Sequence, residues 1–134
     1  MSNRRLVDTN LIVRYLVQDH EQHARAVGKL FDACDRGEVM VVVLPVVLAE
    51  CVFVLESFYE HSRTDIASAL GRLISSPGVE ISEVTVHLDA FERYKVTRVH
   101  FVDCLIAATA VAKDVAVSTF DQDFRKFSDV RVQN

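Results

Sequence analysis

The 134 residues of this chain suit one domain that can bury a core without disulfides or a structural metal. Hydrophobic residues make up 50% of the chain and charged residues 25%, a balance that excludes an intrinsically disordered protein. The formal net charge is -4, from 19 acidic and 15 basic residues, so a nucleic-acid partner would have to be bound through a local basic patch.

The cysteine spacing and the apolar runs disfavour two further classes of protein. The three cysteines, at positions 34, 51 and 104, show no paired spacing and are expected to be small core residues in a reducing cytosol. Residues 39–55 form the most apolar stretch, but Pro45 and Glu50 interrupt it before it reaches the length of a membrane span. Asp8 interrupts the N-terminal run that a signal peptide would need. We therefore expect a cytoplasmic protein without a membrane anchor.

The first part of the chain predicts a strand and two helices. Residues 4–7 are apolar enough for a central strand, and residues 10–17 follow as a helix. Apolar residues at helical spacing predict a second helix over residues 21–35. A capping box that starts at Asp19 precedes this helix, and Gly37 ends it.

The middle of the chain continues the alternation. Residues 39–44 are apolar without alternation, which is typical of a parallel strand covered on both faces. Pro45 suits the first position of a buried helix over residues 45–59. A capping box at Ser62 opens a helix that runs to residue 74, and residues 79–81 form a short strand.

The last third predicts two longer helices and two strands. Ser82 can cap a helix over residues 83–95, and residues 102–113 form the next helix. Residues 115–118 form a fourth strand, Asp121 opens a short helix, and residues 130–132 form an edge strand. Strands that alternate with helices predict a single three-layer α/β/α domain over residues 1–134, with a central parallel sheet of about four to five strands.

Four separate apolar segments each carry an acidic residue. Asp8 lies where the first strand becomes a helix, and Asp121 follows the fourth strand in the same way. Asp103 is expected near the start of its helix. Glu50 is the only charged residue in its segment, and a lone buried carboxylate costs several kcal/mol unless it is paired or bound to a metal.

Each acid also has a structural explanation. Asp8 and Asp121 could be helix caps, Asp103 a first-turn acid, and Glu50 the partner of a buried arginine. Together, four such acids without a comparably buried base favour convergence on one pocket, where a divalent cation relieves their repulsion. All-oxygen ligation favours Mg²⁺ or Mn²⁺, ions that support phosphodiester hydrolysis.

In these acidic segments the sequence resembles a known family, the PIN domain, and within it the VapC-type toxins of toxin–antitoxin pairs. The resemblance covers essentially the whole chain and depends on four blocks in the family's order and spacing. The blocks are Val7-Asp8-Thr9-Asn10 with Arg14, Glu50 on an apolar helix, Phe101-Val102-Asp103-Cys104-Leu105-Ile106-Ala107, and Ser118-Thr119-Phe120-Asp121-Gln122-Asp123-Phe124.

The resemblance implies a Mg²⁺-dependent ribonuclease with Asp8 and Asp103 as the main metal ligands. Glu50 would ligate or orient the attacking water, and Asp121 would complete the shell, with Asp123 as the alternative fourth acid. Asn10 and Thr119 would be supporting polar groups. Candidates for phosphate contact, each equally explained as surface charge, are Arg14, Arg93, Lys95, Arg98 and Arg125.

The resemblance also implies partners: an RNA substrate, a second copy in a homodimer, and a small VapB-like antitoxin in a hetero-oligomer. The helices over residues 45–59 and 62–74 are the candidate interface, although core packing explains their apolar residues equally well.

Other functions fit the sequence less well. An aspartyl-nucleophile phosphatase would need a second aspartate where this chain has Asn10, and a Rossmann domain would need a glycine-rich first turn. A housekeeping PIN nuclease in RNA processing remains an alternative. A non-catalytic PIN binding module is the other, although it would have no reason to keep four acids.

Overall fold

The computed structural model of the protein describes residues 3–18 and 21–133. Contacts between its elements divide the chain into two compact units, one that ends at Ser82 and one that begins at Glu83. The architecture is mixed α/β with a parallel sheet, which confirms the predicted fold class.

The first unit contains the sheet. Its elements are β1 (Arg4–Leu6), α1 (Thr9–Val17), α2 (Glu21–Asp35), β2 (Met40–Val42), α3 (Pro45–Ser57), α4 (Arg63–Ser75) and β3 (Val79–Glu80). The strand order is β1-β2-β3, and both pairs are parallel, with Arg5 opposite Val41 and Val41 opposite Val79. The carboxyl ends of the three strands therefore meet at one edge of this sheet.

Local sequence signals account for the helix boundaries. The Ser62 hydroxyl accepts a hydrogen bond from the Asp65 backbone N–H at 3.1 Å and so caps α4 as predicted. Pro45 begins α3. Gly37, at φ +77°, ends α2 in a Schellman arrangement, in which the Glu38 N–H donates to the Ala33 carbonyl at 2.9 Å. The capping box predicted at Asp19 lies outside the described residues.

The core of the first unit forms where the helices pack on the sheet and on each other. Helix α2 packs on β2 and α4 on β3, while α1 contacts both α2 and α3. Val41, Leu48 and Ile66 are fully buried there. Among the described strands β1 lies at an edge of the sheet, and Leu6 is 67% exposed, which differs from the predicted central position.

The second unit is mainly helical. It contains α5 (Val84–Val96), α6 (Phe101–Lys113) and a 3-10 helix (Gln122–Lys126). Helices α5 and α6 pack through an aromatic cluster, in which the ring centroid of Phe101 lies 4.7 Å from that of Phe91 and 5.9 Å from that of Tyr94. Such ring contacts add to the area that they bury.

Two predictions for the second unit need correction. The strands predicted over residues 115–118 and 130–132 are present only as a single parallel bridge between Val117 and Val132, with Val117 buried and Val115 and Ser118 exposed. The described sheet therefore has three strands rather than four or five. Ser82 does not cap α5; the N-cap is Glu83, at φ 54°, without a side-chain hydrogen bond.

Two expectations about the chain as a whole can be compared with the structure. All three cysteines are free and buried, as expected of small core residues. Within residues 3–18 and 21–133, no helix is long and apolar enough to cross a membrane.

Candidate functional site

Asp8 lies at the start of α1, just after β1. It is the N-cap of the helix, and its Oδ1 accepts a hydrogen bond from the Leu11 N–H at 2.9 Å. The structural role predicted for Asp8 is thus present. The bond uses one carboxylate oxygen, so the side chain is held in a defined orientation while the other oxygen remains for a ligand. Asp8 is exposed rather than buried.

Glu50 lies on α3, near Asp8. Helix α3 packs against α1, and the Cys51 thiol lies 4.0 Å from the Thr9 carbonyl oxygen. Burial raises the pKa of Cys51 to about 12, and the charges of Glu50 and then Asp8 add to the rise. Asp8 and Glu50 therefore both lie within electrostatic range of one buried thiol of the first unit.

The predicted burial of Glu50 is wrong, because its side chain faces outward. Val46 and Phe53, one turn away on either side of Glu50 along α3, are 72% and 63% exposed. The apolar run around Glu50 therefore includes an exposed helix face. Glu50 makes no ion pair with a described residue of its own unit, so the predicted alternative of a buried arginine partner is not observed there.

The second unit brings three further acids together. Asp103 lies in the first turn of α6 and is half-buried. Burial raises the pKa of Asp103, and the charges of Asp121 and Asp123 raise it further, while His100 lowers it. The carboxylates are thus close enough to repel one another, which is the electrostatic setting that a bound cation relieves.

Thr119 fixes the backbone at Asp121. The Thr119 hydroxyl accepts a hydrogen bond from the Asp121 N–H at 2.9 Å. Asp121 is the N-cap of the 3-10 helix, and its Oδ1 accepts the Asp123 N–H at 2.9 Å. Like Asp8, Asp121 uses one carboxylate oxygen to cap its helix, and its second oxygen takes no part in that bond. The supporting role of Thr119 at a metal site stays a prediction.

Asp121 and Asp123 differ in their partners. Asp123 forms an ion pair with Lys126 at 3.0 Å. The exposed carboxylate of Asp121 makes no ion pair with a described residue of its unit. A cation at Asp123 would therefore have to compete with Lys126, and the preference for Asp121 as the fourth acid stays a prediction.

The basic residues predicted to contact phosphate differ in availability. Arg93 already binds two carboxylates, and Lys95 pairs with Glu92 at 3.2 Å. Arg98 and Arg125 are exposed in the second unit, so their guanidinium groups are open to solvent. Arg14 lies half-buried in α1, where Asn10 is exposed in the first turn.

Two neighbours of the acids were not predicted. His100, which immediately precedes α6, acts electrostatically on Asp103, and Lys126 pairs with Asp123. A base three residues from an acid on a helix is a recognisable signal for the second contact. A histidine just before a helix is a weaker signal for the first.

The donor chemistry of the two acid groups fits a hard divalent cation, since all the candidate ligands are carboxylate oxygens. Among residues 3–18 and 21–133, no three His, Cys, Asp or Glu side chains form a group that could hold a metal ion. The observations that bear on ligation are therefore the pairwise ones: Asp8 with Glu50, and Asp103 with Asp121 and Asp123.

Comparison with known proteins identifies one family. A sequence model of the PIN domain matches residues 5–130. No curated protein matches the chain significantly. Among solved structures, the chain is similar to a chain in the crystal structure of VapBC2 from Rickettsia felis bound to a DNA fragment from their promoter. That pair is 18% identical, with 98% of each chain covered and a TM-score of 0.41.

Proposed function

The chain belongs to the PIN-domain family, and from this premise we propose that it is a divalent-metal-dependent endoribonuclease, the toxin of a type II toxin–antitoxin pair. Proteins of this family are generally nucleases. The proposal of RNA as substrate rests on the resemblance of the four acidic blocks to VapC-type toxins. The observation that supports a metal centre best is that Asp103 lies within electrostatic range of Asp121 and Asp123, whose charges add to the rise that burial causes in the pKa of Asp103.

The proposed roles divide between the two units. Asp8 and Asp103 would hold Mg²⁺ or Mn²⁺ as the main ligands, Glu50 would orient the attacking water, and Asp121 would complete the shell. When bound, the divalent ion would polarise a phosphodiester and lower the pKa of a water molecule. The helix amides bonded to Asp8 and Asp121 keep each carboxylate in place without the ion, so ligand orientation costs less on binding.

In this proposal, exposed basic side chains of the protein bind the RNA phosphates. Arg98 and Arg125 are the preferred candidates, because the other two predicted phosphate contacts in the second unit, Arg93 and Lys95, already pair with carboxylates. Neutralising a phosphate releases counterions, so cleavage at low RNA concentration should weaken as salt rises.

Replacement of Asp103 by Asn tests the enzymatic proposal. Purified wild-type protein is expected to cleave a mixed RNA pool with Mg²⁺ or Mn²⁺ and to lose this activity in EDTA. Asp103→Asn should lose cleavage while retaining the wild-type circular dichroism spectrum. Unchanged cleavage by the variant would reject Asp103 as a ligand, and an inactive wild type with both ions would favour a binding module.

Mapping RNA 5′ ends after brief induction in cells tests the substrate. A cut present with wild type and missing with Asp8→Asn would identify the target and separate tRNA, rRNA and mRNA. Scattered cuts within precursors of stable RNA would favour a housekeeping nuclease in place of a toxin.

The proposed protein partners are a VapB-like antitoxin and a second copy of the chain. Val46, Phe53 and Phe58, on α3 and just after it, are 72%, 63% and 75% exposed, which supports α3 as a surface for association. The apolar side chains of α4, such as Ile66 and Leu70, lie in the core and contribute no such surface. Light scattering on wild type and Phe53→Ser would test the homodimer, which the substitution should weaken.

A further inference from the structure

Arg93, on the last turns of α5, is held by two carboxylates and a ring. Its Nη1 and Nη2 donate to Oδ1 and Oδ2 of Asp129 at 2.8 and 2.6 Å, a bidentate arrangement. Its Nε and Nη2 also donate to Asp89 at 3.2 Å. The guanidinium carbon lies 5.2 Å from the ring centroid of Phe127, and the side chain is only 11% exposed.

These partners leave Arg93 poorly suited to bind a phosphate. The N–H groups of the Arg93 guanidinium donate to two carboxylates. Because Asp89 and Asp129 carry two negative charges against one positive charge, the three side chains together have a net negative charge. The hydrogen bond from Arg93 holds the pKa of Asp129 below its usual range. An RNA phosphate would have to displace Asp129 from a short, charge-assisted contact.

Arg93 instead fixes the segment that follows the 3-10 helix. Phe124 and Phe127 are buried on either side of the helix end, and the Phe127 and Val130 N–H groups donate to the Phe124 and Phe127 carbonyls, each at 3.3 Å. Asp129 lies in this folded-back segment. Arg93 therefore secures the C-terminal end of the 3-10 helix, while Thr119 secures its start at Asp121.

We propose that Arg93 is a positioning residue: by gripping Asp129 and Phe127 it holds the 3-10 helix so that Asp121 faces Asp103. The inference rests on the proposed function, because it takes Asp121 as a metal ligand. Arg93 acts only through Asp129 and Phe127, so its removal should misplace a ligand without removing one. A misplaced ligand lowers kcat more than it raises KM.

Two substitutions, one in each partner, break the hydrogen bonds between Arg93 and Asp129. Arg93→Gln and Asp129→Asn should each accelerate amide hydrogen exchange over residues 122–130 by about 10- to 100-fold, with little change in α6. Each should lower kcat by roughly 10- to 100-fold while KM changes by less than about threefold. The double variant should be little worse than either single one, because both break the same contact. Arg93→Lys should restore activity only in part, since an ammonium cannot reproduce the fork.

Arg131→Gln is the matched control. It removes the same charge from the same unit and breaks an ion pair with Asp114, at 3.0 Å, whose side chains are 61% and 88% exposed. This variant should leave kcat and exchange over residues 122–130 close to wild type. Asp129→Asn, at a half-exposed position, keeps the test available if Arg93→Gln fails to fold.

The outcomes separate the inference from the proposed function. Faster exchange with unchanged kcat would overturn the positioning role and leave a stabilising one. A raised KM with unchanged kcat and a weaker salt dependence would assign Arg93 to RNA contact. Wild-type protein that lacks nuclease activity would refute the proposed function and with it the role of Asp121, while the exchange data would still decide whether Arg93 secures the 3-10 helix.

Discussion

At the scale of single residues, Asp121 and Asp123 provide the sharpest comparison. The Lys126 ammonium pairs with Asp123, and Asp121 keeps one carboxylate oxygen outside its helix-capping bond. We expect Asp121→Asn to lower kcat by about 100-fold and Asp123→Asn by only a few fold. Both substitutions remove one negative charge from the same helix, so each serves as the control for the other. Equal losses would contradict the assignment of a single fourth acid.

Asp103 predicts a pH dependence of stability. Its pKa is raised in the folded protein, mainly by burial, so the folded state binds this proton more readily than the unfolded chain does. Ionisation therefore costs stability as pH rises through the folded pKa, and the cost disappears at pH values below the ordinary range of aspartate. In EDTA, Asp103→Asn should be more stable than wild type at about pH 7, by less than about 1 kcal/mol because a half-exposed charge is screened.

Urea unfolding at several pH values would check this expectation. The advantage of Asp103→Asn should shrink as pH falls toward about pH 3, where the wild-type carboxyl is protonated in both states. An advantage that grows with acidity would show that Asp103 is stabilised as a carboxylate and would contradict the structural assignment.

The acidic positions could be proposed from the sequence, whereas their exposure could not. Glu50 and Asp8 interrupt apolar runs, and that interruption is visible in one dimension. Whether Glu50 is exposed depends on which face of α3 packs against α1 and α4, and this packing is a property of the three-dimensional structure. The ion pair of Arg93 with Asp129 and the contact of the Cys51 thiol with the Thr9 carbonyl also join distant parts of the chain, so no local pattern could predict them.

At the scale of elements, the close approach of α2 and β3 predicts opposite effects for two glycines. A Cβ at Gly78 would lie 2.7 Å from the Cys34 carbonyl oxygen and would also collide with the Cys34 sulfur. A Cβ at Gly28, in the middle of α2, would meet nothing within 4 Å. Gly78→Ala should therefore destabilise the protein by about 1 to 3 kcal/mol, because backbone must move.

Gly28→Ala is the control and should stabilise the protein by roughly 0.5 to 1 kcal/mol, since alanine favours the helix interior. Urea denaturation of the two variants measures both effects. A neutral Gly78→Ala would mean that the turn before β3 can shift away from α2 at little cost.

Helices were more predictable than strands for a physical reason. The bounds of α2 matched the prediction, and Ser62 capped α4 as expected, because helix periodicity and caps are local. A strand needs a partner that may be far along the chain. Among the described residues, Val117 pairs with Val132, and the bridge has two backbone hydrogen bonds of 2.8 and 2.9 Å. The apolar run over residues 115–118 therefore does not form a full strand.

At the scale of the whole molecule, the proposal takes Asp8 and Asp103 as ligands of one ion. If so, Mg²⁺ at 100 times its Kd should stabilise wild-type protein by about 2.7 kcal/mol. Asp8→Asn and Asp103→Asn, one from each unit, should both lose most of this gain, and the double variant should lose little more. Thermal unfolding with and without Mg²⁺ measures it. A full gain retained by either variant would exclude the substituted residue as a ligand of the ion.

The capping role of Asp8 has a practical consequence for producing the protein, which under the proposed function would inhibit the growth of its host. An asparagine at this position still has a side-chain oxygen that can accept the hydrogen bond from the Leu11 N–H. Helix α1 should therefore keep its N-cap while the negative charge is removed. One exchange of oxygen for nitrogen would then yield a harmless, correctly assembled protein for crystallisation or antibody production. Alanine would confuse two losses, of the cap and of the charge, and should be avoided in surveys of this position.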